Sequence, residues 1–150
     1  MDCRERGSRV EMDCGGWISV LFHKLRKRVN ADVQRLGLTG IQSRVIHFIL
    51  IKSAEGPVYQ RDVESAFGVS RSTVTGMLQQ MEKDGLIQRV SVASDARLKS
   101  LVPTEKAVHL DAQVEERLHR AEQCLTQGLS DVQLTAFKEA AAQMAANLDN

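Results

Sequence analysis

Apolar residues return at three- and four-residue steps from Trp17 to Leu36, through Val20, Leu21, Leu25, Val29 and Val33. That is the period of an amphipathic helix, and Gly37 supplies its stop. Thr39, followed three residues later by Gln42, has the pattern of a capping box. A second helix therefore opens there, with Ile41, Val45, Phe48 and Ile49 turned inward. It is expected to end near Ala54, because Gly56-Pro57 is strong loop punctuation. A shorter helical segment spans Tyr59 to Val69, with Val63, Ala66 and Phe67 apolar and Gly68 breaking it. Ser70 is placed to cap the next helix. Its apolar residues Val74, Met77, Leu78 and Met81 fall within about 100° of arc, and Gly85 stands where a left-handed residue would close it.

Two helices joined by a short glycine-containing turn make a helix-turn-helix. Beyond Leu86-Ile87 the period drops to two: Gln88-Arg89-Val90-Ser91-Val92 alternates polar with apolar, as a half-buried strand does. Ala93 to Arg97 reads as a polar tip. Ser100-Leu101-Val102 returns as the second strand, with Val102 held extended by Pro103. From Thr104 to Leu129 a long helix carries Val108, Val114, Leu118, Ala121 and Leu125. Ser130 with Gln133 then repeats the capping box and opens a last helix striped by Leu134, Phe137, Ala141, Met144 and Leu148.

The expected fold class is mainly α with a small β wing, in one domain over residues 1–150. Residues 38–103 form a winged helix-turn-helix, residues 15–37 and 104–150 supply N- and C-terminal helices for dimerisation, and residues 1–14 form an N-terminal arm of mixed charge. The apolar stripes of the outer helices exceed what a core of roughly 65 residues can cover. A homodimer is therefore expected.

Composition excludes more than it selects. Apolar residues are 43% and charged residues 26% of the chain, a globular rather than disordered or membrane balance. The longest apolar stretch, Val45 to Ile51, is interrupted by His47 and is too short to span a bilayer. The N-terminus lacks the apolar run of a secretory signal, so a cytoplasmic protein with no membrane partner is expected. Net charge is only +1, but it is unevenly spread: Ala107 to Asn150 holds three basic residues against seven acidic ones. A surface for a polyanion must then lie in the first two thirds. Cys3, Cys14 and Cys124 form no CxxC pair, and the four histidines offer no ligand pair at helical spacing. No Gly-rich phosphate loop, metal cluster or nucleophile triad is evident, so neither an enzyme nor a cofactor is expected.

The helix opened by Ser70 carries the chemistry. Opposite its apolar stripe stand Ser72, Thr73, Thr75, Gly76, Gln79, Gln80 and Lys83, short hydrogen-bonding groups with one basic end. A major groove takes a helix broadside, where Gln can bond adenine at two points and Ser or Thr reach phosphates or base edges. Arg71, in the first turn, can pair with guanine or a phosphate. On the hairpin, Arg97 suits the negative potential of a narrow A·T-rich minor groove. Read without DNA, Asp95 and Arg97 make only a surface ion pair worth under about 1 kcal/mol.

The run GVSRSTVTGMLQQMEKDGLIQRVSVASDARLKSLVPTEKA resembles the recognition helix and wing of the MarR family of bacterial regulators, and LTGIQSRVIHFI resembles that family's second-helix opening. The family's wing motif runs Asp-x-Arg-x-Lys, an aliphatic residue two later, then Leu-Thr-x-x-Gly. Asp95, Arg97, Lys99, Leu101 and Thr104 match it in register, while Pro103 replaces the Leu and Ala107 the Gly. The resemblance implies a homodimer on a pseudo-palindromic double-stranded DNA operator. Ser70, Arg71, Ser72, Thr73, Thr75, Gly76, Gln79 and Gln80 would face DNA; Arg97 would enter the minor groove, oriented by Asp95 and supported by Lys99. It also implies a repressor relieved by a small aromatic effector, for which Trp17, Phe22 and His23 are the candidate pocket residues. Two alternatives stand beside it: a redox-sensing regulator using Cys14, just ahead of the first helix, and a winged-helix adaptor for protein partners.

Overall fold

The computed structural model describes residues 12–149. The elements run α1 (Cys14–Arg35), α2 (Gly40–Ser53), α3 (Gln60–Phe67), α4 (Arg71–Lys83), β1 (Ile87–Val92), β2 (Asp95–Pro103), α5 (Glu105–Thr126) and α6 (Asp131–Leu148). The fold is mainly helical with a two-stranded antiparallel wing.

Side-chain caps fix where most of these helices start. Thr39 and Gln42 exchange the two hydrogen bonds of a capping box, at 3.2 and 2.9 Å, and Ser130 with Gln133 does the same. Ser70 caps α4 by accepting the Thr73 N–H, and Thr104 caps α5 by accepting the Ala107 N–H. The arm expected over residues 1–14 stops short of Cys14: the Asp13 carboxylate accepts the Gly16 N–H at 2.7 Å and makes Cys14 the first helical residue. Most of that expected arm lies outside the described residues.

The core gathers the inward faces of the central elements. Val45, Ile46 and Ile49 of α2, Val63 of α3, Val74, Leu78 and Met81 of α4, and Ile87 and Leu101 of the wing are all buried. Ile46 extends the inward stripe expected for α2, since this helix is covered on more than one side. Val33 of α1 and Val114 of α5 join the same cluster and seat the winged lobe on the outer helices. Leu78 is fully buried. Leu78→Ala should therefore cost about 2–5 kcal/mol in urea unfolding; a loss below about 1 kcal/mol would mean that α4 is not seated as described.

The helix-turn-helix bends at Gly68, whose φ of +60° is a left-handed conformation that a side chain resists. Gln60 at the start of α3 then donates to the Thr75 hydroxyl at 2.8 Å, locking α3 to α4. The wing is tied in at its base. Leu101 N–H donates to the Val58 carbonyl at 2.7 Å, and Lys106 reaches the Asp84 carbonyl at 2.8 Å. Both departures from the wing motif are accommodated. Pro103, opposite Ile87, has no N–H to give, and Thr104 supplies one to Leu86 at 3.1 Å. Ala107 is fully buried, its methyl group part of the core.

Candidate nucleic-acid interface

Because α4 buries Val74, Leu78 and Met81, its opposite side must face outward. Ser72, Gly76, Gln79, Gln80 and Lys83 are exposed there. Apart from its chain neighbours and the adjoining backbone of α4, no atom of the described residues lies within 4 Å of where a Cβ on Gly76 would sit, so this glycine serves no packing need and leaves the helix backbone open to close approach from outside. At the N-terminal end the Ser70 hydroxyl lies 3.2 Å from that of Ser72 and 2.9 Å from that of Thr73. These hydroxyls sit with the helix's free N–H groups, an arrangement that suits phosphate oxygens. Two of the expected contact residues are otherwise engaged. Thr75 is half-buried, donates to the Arg71 carbonyl at 2.8 Å and accepts from Gln60. Gln80 donates to Asp84 at 2.9 Å, along its own helix.

The wing corrects the sequence reading in its detail. Asp95 and Arg97 belong to β2 and not to the tip, which is the two-residue turn Ala93-Ser94. Ser91 pairs with Lys99 but the next residue, Val92, pairs with Asp95. The residues 96–98 are thus a bulge, without opposite partners in the ladder. A bulge bends the strand and re-aims its side chains, and Arg97 is exposed on it. The backbone N–H that the bulge removes from pairing still has an acceptor: Arg97 N–H donates to Asp95 Oδ1 at 2.9 Å. Asp95 therefore orients Arg97 through the main chain. Among the described residues no ion pair joins it to the guanidinium, so the simple surface-pair reading does not hold. Lys99 donates to Ser91 Oγ across the hairpin at 2.5 Å.

Between α4 and the wing lies an open concavity of about 460 Å³, lined by Arg61, Arg71, Arg89, Arg97 and Lys99 with Glu64 as its one carboxylate. Arg61 and Arg89 were not among the expected site residues. Arg61 opens the first turn of α3, with its guanidinium 5.2 Å from the Tyr59 ring centre. Arg89 occupies a polar slot of β1, and the alternation that predicts the strand gives no sign that this slot faces α4. Its Nε and Nη2 are shielded from solvent and lack hydrogen-bond partners, the Glu82 carboxylate standing 3.5 Å from Nε. The partly desolvated guanidinium of Arg89 and the exposed ones of Arg61, Arg71 and Arg97, gathered around one hollow, raise its positive potential, which favours an anion.

The other candidates are dispersed. Trp17 and Phe22 are more than half exposed on α1, and Phe22 meets His23 edge-on with ring centres 5.6 Å apart. None of the three lines the separate hollow of about 470 Å³ between α1 and α5, which is walled by Leu25, Val29, Leu118 and Ala121 among others. Cys14 is exposed in the first turn of α1, inside the helix and not ahead of it. Among the described residues no helix is long and apolar enough to cross a membrane.

Residues 36–98, from the end of α1 into the wing, match the model of the MarR family. The fold is shared along nearly the whole chain with solved structures. MepR, a transcription regulator of the Staphylococcus aureus multidrug efflux pump MepA, superposes with a TM-score of 0.81 at 20% identity, over 91% of this chain and 98% of that one. A variant of S. aureus MepR bound to an oligodeoxyribonucleotide gives 0.72 at 21% identity, over 92% and 99%. The transcription regulator MarR from Oenococcus oeni PSU-1 gives 0.61 at 28% identity, over 89% and 99%. Over residues 36–98 the winged helix-turn-helix of this chain is similar to the MarR family, and the helical frame around it has the same fold as the solved transcription regulators MepR and MarR.

Proposed function

We propose that the chain is a sequence-specific DNA-binding regulator that acts as a homodimer on a pseudo-palindromic operator. One observation carries this reading: α4, which exposes a hydrogen-bonding face, also lines through Arg71 and Thr75 the cationic hollow that it shares with the bulged wing. The helix face can read base edges in a major groove, and the cations neutralise phosphates while Arg97 reaches the adjoining minor groove. Ser70, Arg71, Ser72, Thr73, Gly76 and Gln79 are assigned to DNA contact directly. Thr75 holds α3 against α4, and Arg61 and Arg89 join Lys99 as phosphate contacts. That MepR has been solved with an oligodeoxyribonucleotide supports the same use of this fold.

A dimer of such lobes regulates most simply by occluding its operator, hence as a repressor. Relief requires a ligand that favours a non-operator spacing of the two lobes. The hollow between α1 and α5 is one candidate for binding it, and the exposed Trp17, Phe22 and His23 end of α1 is another. Selection of duplexes from a random pool by the purified chain tests the reading. It should enrich an inverted repeat with half-site centres about one helical turn, or a multiple, apart. A pool that stays random after selection would favour the adaptor reading instead.

A further inference from the structure

Away from α4 and the wing, ligating side chains from distant parts of the chain meet between α2 and α5. His47 lies midway along α2 and Asp111 in the second turn of α5. His47 Nδ1 stands 3.2 Å from both carboxylate oxygens of Asp111. Glu115, one turn further along α5, completes a group whose ligand atoms all lie within 4.8 Å of one another. A charge-assisted hydrogen bond between imidazole and carboxylate would normally close to about 2.7–2.9 Å on a single oxygen. At 3.2 Å to both oxygens the imidazole makes a looser, shared hydrogen bond, and the same His47–Asp111 spacing also suits two ligands of one ion. Atoms held at about 2.0–2.2 Å from a cation are about 2.9–3.5 Å apart at octahedral to tetrahedral angles.

We propose that His47, Asp111 and Glu115 form a site for a first-row divalent transition cation, with zinc the best match. An imidazole among the ligands disfavours magnesium and calcium, which prefer oxygen alone, and the absence of a thiolate disfavours copper(I). Three protein ligands leave a position for water, the mark of an exchangeable site and not of a closed structural one. Asp111 is mostly buried, its side chain 13% exposed, whereas that of His47 is 45% exposed, so an ion has both a fixed anchor and a route in. The site joins two parts with different tasks. α2 packs into the winged lobe through Val45, Ile46 and Ile49, while α5 runs from the wing into the outer helices. An ion shared between them fixes the tilt of the lobe on its support. The regulatory consequence rests on the regulator reading above: the tilt sets the spacing of two recognition helices in a dimer, so metal would alter operator affinity.

The test uses the full chain with Cys3, Cys14 and Cys124 replaced by serine, so that no thiol holds zinc, and with metal stripped by a chelator. Titration with Co²⁺, followed by visible absorption, and with Zn²⁺ against a coloured indicator should show one ion per protomer. His47→Gln, which keeps a hydrogen-bonding side chain towards Asp111, and Asp111→Asn should each weaken binding by about 100-fold or more. Glu115→Gln should weaken it by about 10-fold. X-ray absorption of the zinc-loaded parent protein, independent of how well any variant folds, should show one imidazole nitrogen with oxygen ligands. Unchanged affinity in His47→Gln, or no stoichiometric binding in the parent, overturns the site. Operator selection by the metal-free protein separates the two proposals. A selected duplex without metal binding sinks the metal site alone; His47-dependent zinc binding without a selected duplex upholds the site and sinks the regulator reading.

Discussion

Replacing Arg97 by alanine is expected to weaken binding to every duplex, operator or not, and to make that binding less dependent on salt. Arg97 is exposed on a bulge whose backbone is held by Asp95. Its charge is thus presented at the hollow between α4 and the wing, and among the described residues no ion pair ties it to a carboxylate. Removing one cation from a phosphate or from the minor groove should reduce the slope of log K against log salt by about one unit. Asp95→Ala, which removes only the acceptor for the Arg97 N–H, should reproduce part of the drop in affinity while leaving most of the slope. Gln79→Ala belongs to a different class. It carries no charge, so the slope should stay while preference at one position per half-site relaxes by about 1–3 kcal/mol. Titrations of labelled operator and scrambled duplex over a range of salt separate these outcomes. Equal slopes for Arg97→Ala and the parent would take the wing out of the interface, and a uniform weakening for Gln79→Ala would make that residue a backbone contact.

The helices and their order were legible because their signals are local. A hydroxyl at Thr39, Ser70 or Ser130 meets a free N–H within its own first turn, and an apolar stripe at helical spacing needs no knowledge of the partner it packs on. The outward face of α4 followed from the same periodicity. What the sequence hid depends on contacts between segments. The bulge that exposes Arg97 is a property of pairing between β1 and β2, and alternation along one strand does not reveal how many residues oppose it. Thr75 looks like its neighbours Ser72 and Thr73 until Gln60, from another helix, is set against it. Arg61, Arg71, Arg89 and Arg97 are scattered over 37 positions and become one hollow only when the wing folds over α3 and α4. His47 and Asp111 are 64 residues apart and give no ligand motif by spacing, since their proximity is made by α2 packing on α5.

The outer helices make the strongest demand on a second copy. Among the described residues α6 has no buried one, and Phe137, Val132 and Leu148 are 57%, 79% and 86% exposed. An isolated helix of this length is marginal in water, and its stability normally comes from packing an apolar face. Trp17, Ile18 and Phe22 on α1 and Val108, Leu118 and Leu125 on α5 are likewise exposed. A two-fold pairing presents each of these stripes to its counterpart and covers both at once. The chain is therefore expected to sediment at about twice its monomer mass of 16.7 kDa at micromolar concentration. Phe137→Asp should shift it to the monomer. A carboxylate in place of the ring would be buried without a partner, at a cost of several kcal/mol that is incurred once per subunit. The effect should reach DNA binding as well: a monomer engages one half-site, so cooperative occupancy of the inverted repeat should disappear while weak, salt-sensitive binding through one wing persists. A parent chain that sediments as a clean monomer, or a Phe137→Asp variant that stays dimeric, would remove α6 from the dimer contact and leave its apolar stripe to another partner.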